Sequence, residues 1–193
     1  LIMDETLHRV FGFTAFRKHQ RELVSGLHEG RDVFGVMPTG GGKSLCYQLP
    51  ALLGPGCAVV VSPLIALMKD QVDAAKASGI RAACANSSIS DEDRRAAVRA
   101  YQNGELDLLY LAPERLAVHG MLDRLRHCPS GTPAFFAIDE AHCISQWGHN
   151  FRPDYLKLAR IAESLNVERV LALTATATPE VREDICKTFQ IEP

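Results

Sequence analysis

Apolar residues after position 30 fall into short runs that alternate with amphipathic stretches. The six runs cover residues 33–37, 58–62, 80–85, 107–112, 134–138 and 169–173. They are rich in Val, Ile, Leu and Phe without polar alternation, which is typical of strands covered on both faces. The pattern predicts an α/β fold in which a mostly parallel central sheet carries helices on both faces. Ligands of such sheets bind at the carboxyl ends of the strands.

The predicted helices are marked by apolar stripes and by capping residues. Near the N terminus, apolar periodicity predicts helices over residues 4–11 and 17–29. A further stripe, closed by Gly79 as a C-terminal cap, predicts a helix with one buried face. Its members are Leu64, Leu67, Met68 and Val72. Ser90 and Thr178 are predicted to cap the N-termini of two later helices.

A glycine-rich stretch joins the first predicted strand to a helix, and residues 37–44 read Met-Pro-Thr-Gly-Gly-Gly-Lys-Ser. Successive glycines let backbone N–H groups converge on a polyphosphate, towards which the next helix directs its positive end. We expect Lys43 to meet the β- and γ-phosphates and Ser44 to ligate Mg²⁺. A turn that binds nothing has no need of this Lys-Ser pair. Met37 stands where the full pattern has glycine, and such shortened loops are typical of helicases and translocases.

Two carboxylates follow the fifth apolar run. Residues 134–138 lead directly into Asp139-Glu140-Ala141-His142. We assign Asp139 to Mg²⁺ and Glu140 to the attacking water, which it would orient and deprotonate. An acidic pair could simply begin a helix, but the phosphate loop upstream favours catalysis. The candidate catalytic residues are Lys43, Asp139, Glu140 and His142.

Composition limits the possible partners and compartments. A net charge of −2 gives no bulk signal for nucleic-acid binding, so any such site would be a local patch. The six cysteines are scattered without metal-ligand spacing, so we expect no zinc site and small buried thiols in a reducing compartment. No signal peptide or membrane-length apolar run is visible. We therefore expect a soluble, intracellular protein without a membrane partner.

The motifs resemble the first RecA-like domain of superfamily 2 helicases, and more closely that of the RecQ DNA helicases. The resemblance extends from Phe13 to the C terminus. It implies a three-layer RecA-like P-loop NTPase fold. Residues 1–30 would form N-terminal helices that carry the adenine-recognition motif, and residues 31–193 the helicase ATP-binding domain.

The resemblance also implies how ATP and Mg²⁺ are held. Phe16-Arg17-x-x-Gln20 is similar to the RecQ motif that binds adenine, and a carboxamide can pair with both N6 and N7 of that base. The stretch Met37–Ser44 resembles motif I. The implied nucleotide-binding residues are Phe16, Arg17, Gln20, Thr39, Gly40, Gly41, Gly42, Lys43 and Ser44, with Ser44 and Asp139 on the metal.

Four further segments resemble DNA-contacting or coupling motifs. Val61–Gln71 resembles motif Ia, Ala112–Leu116 a later DNA-contacting motif, and Leu173–Ala177 motif III, which couples the nucleotide state to DNA. Cys143–Tyr155 is similar to the aromatic-rich loop by which RecQ proteins sense single-stranded DNA. Its aromatic and basic side chains can stack on bases and neutralise phosphate. The implied residues are Pro63, Leu64, Pro113, Arg115, Gln146, Trp147, His149, Phe151, Arg152, Thr174 and Thr176.

The implied function is that of an ATP-binding motor domain for 3′–5′ translocation and duplex unwinding in DNA repair and recombination. The expected partners are single-stranded and partly duplex DNA and a second RecA-like domain of the same polypeptide. Without that domain we expect weak ATP–Mg²⁺ binding and slow hydrolysis. The protein would act in a bacterial cytoplasm or nucleoid, or in a eukaryotic nucleus. Two alternatives stay open: an RNA helicase or other superfamily 2 nucleic-acid ATPase, and a non-enzymatic nucleotide-dependent interaction module.

Overall fold

The computed structural model describes residues 2–17, 19–37, 42–148 and 150–191. Its centre is a sheet of six strands: β1 (Val33–Val36), β2 (Ala58–Val61), β3 (Ala82–Ala85), β4 (Leu108–Leu111), β5 (Phe136–Ile138) and β6 (Val170–Thr174). The strand order is β1-β6-β5-β2-β4-β3, and every pairing is parallel. All the predicted strands are therefore confirmed.

Helices connect the strands as the sequence pattern predicts. They are α1 (Ile2–Phe11), α2 (Gln20–His28), α3 (Leu45–Leu53), α4 (Ile65–Ala77), α5 (Asp91–Gln102), α6 (Met121–Arg126), α7 (Leu158–Ser164) and α8 (Pro179–Phe189). Short 3-10 helices cover Pro113–Ala117, Ala141–Ile144 and Pro153–Lys157. In the described part of the chain, no helix has the length and apolar character needed to cross a membrane.

Both faces of the sheet are buried, because successive side chains of each strand enter different hydrophobic clusters. Val59 and Val61 of β2 pack in a cluster with α5, α7 and α8. Ala58 and Val60 of the same strand pack in a second cluster with α2, α3 and α4. Burial on both faces explains why the strands read as continuous apolar runs. The predicted three-layer architecture is confirmed.

The N-terminal helices pack on the helix that follows the glycine-rich loop. Leu7 of α1, Val24 of α2, and Leu45 and Leu49 of α3 form a separate small cluster of buried side chains. Burial of apolar surface of this kind is the main force that holds helices together in water. The segment between α1 and α2 is thereby held beside the start of α3.

The predicted caps are confirmed by backbone geometry and hydrogen bonds. Ser90 Oγ accepts from the N–H of Asp93 at 3.1 Å, and Thr178 Oγ1 accepts from that of Val181 at 3.3 Å. Gly79 follows α4 with a φ of +84°, a left-handed conformation that favours glycine. Each of these residues therefore ends or begins a helix where the sequence predicted.

One predicted buried stripe is partly wrong. Met68 and Val72 are buried, but Leu64 and Leu67 are 38% and 49% exposed. The buried face of α4 consists of Met68, Val72 and Ala75. Successive residues of a helix are rotated by about 100°, so Leu67, one residue before Met68, points away from this face. Leu64 precedes the helix altogether. Both leucines therefore lie on the surface near the carboxyl end of β2.

Arg169, just before β6, contacts the end of α2 and the segment before β5, so its side chain should contribute to the stability of the fold. Its guanidinium donates to the carbonyl oxygens of Leu27 at 2.9 Å and Ala134 at 3.0 Å, and lies 5.6 Å from the centre of the Phe135 ring. Arg169→Ala leaves both carbonyls without this donor, so we expect the free energy of unfolding in urea to fall by about 2–3 kcal/mol. Arg160→Ala, at an exposed arginine, should change it by less than about 0.5 kcal/mol. Equal losses of unfolding free energy in both variants would show that the Arg169 hydrogen bonds do not stabilise the fold.

Candidate active site

The central strands deliver the candidate catalytic residues to one edge of the sheet. Strand β6 lies between β1 and β5, and Lys43, just before α3, lies at the acidic end of β5. Lys43 Nζ lies 2.9 Å from Asp139 Oδ1 and 3.2 Å from Glu140 Oε1. One ammonium group therefore joins both predicted carboxylates at the carboxyl end of the sheet.

Burial and charge act against each other at this ion pair. Burial raises the pKa of Asp139, and the Lys43 ammonium opposes only part of the rise. Burial alone would lower the pKa of Lys43, but Asp139 and Glu140 together raise it. The lysine is less deeply buried than the aspartate, which is 3% exposed, so attraction prevails at Lys43 and desolvation at Asp139. The site can accept further positive charge beside Asp139.

The two acids share one side of the site because the chain turns sharply after β5. Glu140 has φ 56° and ψ 43°, which is left-handed and uncommon for a residue other than glycine. Its N–H donates to Asp139 Oδ1 at 2.9 Å, and its carbonyl accepts from the N–H of Cys143 at 2.9 Å. Such a conformation persists only where its surroundings fix it. The turn directs both neighbouring carboxylates towards Lys43.

His142 links the acidic turn to the end of β6. Its Nδ1 lies 2.8 Å from Thr174 Oγ1 and 3.6 Å from Glu140 Oε2. The Thr174 hydroxyl donates to the carbonyl oxygen of Thr176 at 3.0 Å, and the Thr174 side chain is fully buried. The structure thus brings the predicted catalytic and motif III residues together.

Gln20 joins the predicted adenine segment to the phosphate loop. It is buried at the start of α2, where its Oε1 accepts from the N–H of Arg17 at 2.7 Å and its Nε2 donates to the Gly42 carbonyl at 3.1 Å. A Cβ on Gly42, whose φ is +82°, would lie 2.2 Å from Gln20 Nε2. The left-handed backbone therefore favours glycine here, and a side chain at this position would displace the Gln20 carboxamide. The motif alone did not predict this contact.

The remaining predicted nucleotide-binding residues surround this contact. Phe16 is half-buried beneath the Arg21 guanidinium, which lies 5.0 Å from its ring centre. Ser44 is half-buried immediately before α3, and Arg17 is exposed. The predicted residues Thr39, Gly40 and Gly41, and His149 of the aromatic loop, lie outside the described residues.

Three buried tyrosines make hydrogen bonds near the site, and the sequence analysis assigned no role to any of them. The Tyr155 hydroxyl donates to the main-chain carbonyl of Asp139 at 2.8 Å. The Tyr47 and Tyr110 hydroxyls lie 3.1 Å apart beneath the start of α3. Burial raises the pKa of both Tyr47 and Tyr110, which keeps them neutral hydrogen-bonding groups. The only sequence signal was the presence of polar-tipped aromatics in otherwise apolar stretches.

Comparison with protein families matches residues 17–185 to the DEAD/DEAH box helicases. The chain belongs to this family. Its Asp139-Glu140-Ala141-His142 is the DEAH box, whose acids form the ion pairs with Lys43.

Individual helicases confirm the resemblance to the RecQ group. Probable ATP-dependent DNA helicase RecS of Bacillus subtilis is 44% identical over 191 residues, which cover 98% of this chain and 38% of RecS. ATP-dependent DNA helicase RecQ of the same organism is 46% identical over 188 residues, which cover 96% of this chain and 31% of RecQ. The chain thus spans about a third of the length of these relatives.

Solved helicase structures have the same fold. The crystal structure of the DUF1998 helicase MrfA bound to DNA superposes with a TM-score of 0.74 at 18% identity, over 98% of this chain and 28% of MrfA. The Pyrococcus furiosus Hef helicase domain gives a TM-score of 0.66 at 20% identity, over 92% of this chain and 36% of the Hef chain. The RecA-like helicase fold predicted from the sequence is confirmed.

In this DEAD/DEAH box domain, the predicted aromatic loop follows the DEAH box along the surface. Trp147 is 74% exposed, Gln146 is exposed and Phe151 is half-buried. Arg152 is half-buried, with its guanidinium 3.4 Å from Asp154 and 3.8 Å from Glu114. Trp147 therefore offers a free ring surface, whereas Arg152 already has acidic neighbours.

The other predicted DNA-contacting residues differ in accessibility. Leu64 and Thr176 are exposed and Pro63 is half-buried, whereas Pro113 is buried and offers little contact surface. Arg115 is half-buried, and its Nε has no hydrogen-bond partner among the described residues. Burial lowers the pKa of Arg115, as do neighbouring arginines. Arg115 therefore keeps one buried N–H without a partner among the described residues, whereas Arg152 has two acidic neighbours.

Proposed function

We propose that this chain is the ATP-binding motor domain of a RecQ-like DNA helicase, in which ATP hydrolysis drives 3′–5′ translocation on single-stranded DNA and duplex unwinding. The observation that carries the proposal is the contact of Lys43 with both DEAH carboxylates. The polarity rests on the resemblance to RecQ proteins alone.

The hydrolytic step follows from the charges of these residues. On ATP binding, Lys43 exchanges its carboxylate contacts for the β- and γ-phosphates. Glu140 is then released to accept a proton from the attacking water. His142 and Thr174 hold the acidic turn against β6, so that Glu140 keeps its direction. The protein thereby supplies positioning and a base, which are the main requirements of phosphoryl transfer.

The residues present also fit Mg²⁺. Asp139 is a buried carboxylate whose pKa stays raised despite Lys43, so a second cation would stabilise its charged form. Ser44 supplies a hydroxyl at the start of α3, and hard oxygen ligands of this kind suit Mg²⁺. When bound, Mg²⁺ would offset the charge that develops on the transferred phosphoryl group.

The aromatic loop is suited to connect DNA to hydrolysis because both its ends meet catalytic residues. It leaves the 3-10 helix that contains His142, and it closes at Tyr155, whose hydroxyl holds the Asp139 carbonyl. DNA bases stacking on Trp147 would displace the loop between these two attachments. This arrangement supports DNA-dependent control of the acidic turn.

The Tyr155 contact can be tested against a matched tyrosine. Tyr155→Phe removes the hydrogen bond to Asp139, and Tyr101→Phe removes an equally buried bond of 2.6 Å to the Leu125 carbonyl. Each should cost about 1 kcal/mol of unfolding free energy. Only Tyr155→Phe should lower ATP turnover, by about 10- to 100-fold, as for other residues that orient metal ligands. Equal turnover in both variants would show that Tyr155 only stabilises the fold.

The proposed function is tested by strand displacement with the full-length protein. We expect ATP-dependent unwinding of a duplex with a 3′ single-stranded DNA tail, and little unwinding with a 5′ tail or an RNA tail of equal length. Preference for the RNA tail would favour the RNA-helicase alternative. Unwinding from the 5′ tail would contradict the polarity.

A further inference from the structure

A hydrogen-bonded pair outside the nucleotide site joins the aromatic loop to α8. Ser145 Oγ donates to Asp184 Oδ2 at 2.6 Å, and the same oxygen accepts from the main-chain N–H of Trp147 at 3.1 Å. Ser145 is fully buried. A short hydroxyl–carboxylate bond is about twice as strong as a neutral one. One carboxylate on α8 therefore fixes the start of the loop.

The backbone beyond Trp147 lies tightly against the same region. A Cβ on Gly148 would be 3.0 Å from the His142 carbonyl oxygen and 3.8 Å from Val181 Cγ2. The Trp147 side chain borders a cavity of about 230 Å³ that Thr176 and Val181 also line. The backbone at Gly148 is thus closely packed, while Trp147 borders open space.

Helix α8 carries this contact back towards the catalytic residues. It begins at Pro179, five residues after Thr174, the last residue of β6, and is capped by Thr178. At the end of β6, Thr174 contacts His142. A displacement of the loop that pulls on Asp184 would move α8, and with it the segment that contains Thr174. Asp184 is thus linked to Thr174 through α8 and the segment before it, a connection that does not include Tyr155.

We propose that Asp184 is a positioning residue that holds Trp147, through Ser145, in the orientation that meets single-stranded DNA and that transmits loop movement to Thr174. The proposal rests on the proposed function, because DNA sensing at Trp147 belongs to it. Asp184 itself is placed on α8, outside the nucleotide site.

The structural half of the proposal can be measured without DNA or ATP. Asp184→Ala in the 193-residue chain should speed hydrogen exchange of the Trp147 main-chain amide at least about tenfold, since Ser145 loses its charged partner. The NMR spectra that record this exchange also contain one indole N–H signal, because Trp147 is the only tryptophan in the sequence. This signal should shift in Asp184→Ala. Glu183→Ala, at an exposed neighbour on α8, should leave both signals unchanged. Unchanged exchange in Asp184→Ala would overturn the proposal.

Two further variants guard against a trivial loss of folding. Ser145→Ala removes the hydroxyl from both contacts and should speed exchange of the Trp147 amide as Asp184→Ala does. The double variant should be no faster than Ser145→Ala alone, because that substitution already removes the hydroxyl through which Asp184 acts on the Trp147 amide. Additive effects of the two substitutions would overturn the proposal.

The functional half uses the full-length protein. Asp184→Ala should raise the single-stranded DNA concentration for half-maximal ATPase stimulation about fivefold or more, since stacking on Trp147 is disordered, with the basal turnover and the KM for ATP unchanged. An unaltered DNA requirement, in a protein whose wild type is stimulated, would overturn the positioning role. If DNA never stimulates the wild type, the proposed function fails, and the exchange measurement still decides whether Asp184 holds the loop.

Discussion

Glu140→Gln should lower ATP turnover by about 10²- to 10⁴-fold, which is the usual contribution of a positioned general base. Glutamine preserves the size of the side chain but cannot take a proton from water. ATP binding should persist, because the substitution leaves Lys43, 3.2 Å from Glu140 Oε1, in place to meet the phosphates. Single-turnover hydrolysis and binding of a fluorescent nucleotide separate these two effects.

The matched control for this substitution is Glu163→Gln, at an exposed carboxylate on α7. It makes the same chemical change away from the site and should keep wild-type turnover. Near-normal hydrolysis by Glu140→Gln would remove Glu140 as the base. Loss of nucleotide binding together with hydrolysis would instead point to damage of the strained turn at Glu140.

Trp147→Ala should abolish most of the DNA stimulation while leaving basal turnover intact. The indole is 74% exposed, and stacking of a base on an aromatic side chain contributes about 1–3 kcal/mol, so the affinity for single-stranded DNA should fall by about 5- to 150-fold. Anisotropy of a labelled oligonucleotide measures the affinity, and a DNA titration of ATP turnover measures the coupling.

Leu156→Ala provides the comparison for Trp147. Leu156 is another exposed large apolar residue, in the 3-10 helix Pro153–Lys157 at the far end of the loop. It has no aromatic face for a base, so its removal should change DNA affinity by less than about twofold. Equal losses of affinity in both variants would show that general hydrophobic contact, and not stacking on Trp147, holds the DNA.

Much of the fold was predictable because the strands are buried on both faces and read as continuous apolar runs. Strand order was not, since the sequence of β1 does not encode that β6 becomes its neighbour. Leu64 and Leu67 were misassigned because an exposed apolar residue looks like a core residue in a periodic pattern. Their exposure emerges only once α4 is placed on the sheet.

The candidate site also has a part that the sequence predicted and a part that it did not. Lys43 and the DEAH acids were predictable because their chemistry requires fixed residue types at fixed spacing. The contacts that hold the site were not, since they join polar groups far apart in the sequence. Tyr155 meets the Asp139 carbonyl, and Gln20 meets that of Gly42. Such hydrogen bonds depend on tertiary packing and leave no local pattern.

The measurement that tests the motor function most directly is steady-state ATP turnover by the full-length protein, with and without single-stranded DNA. Wild type should be stimulated by DNA, Glu140→Gln should be slower by about 10²- to 10⁴-fold in both conditions, and Trp147→Ala should keep only the basal rate. A wild-type protein that binds ATP but never turns it over, even with DNA, would contradict the motor function and favour a nucleotide-dependent interaction module.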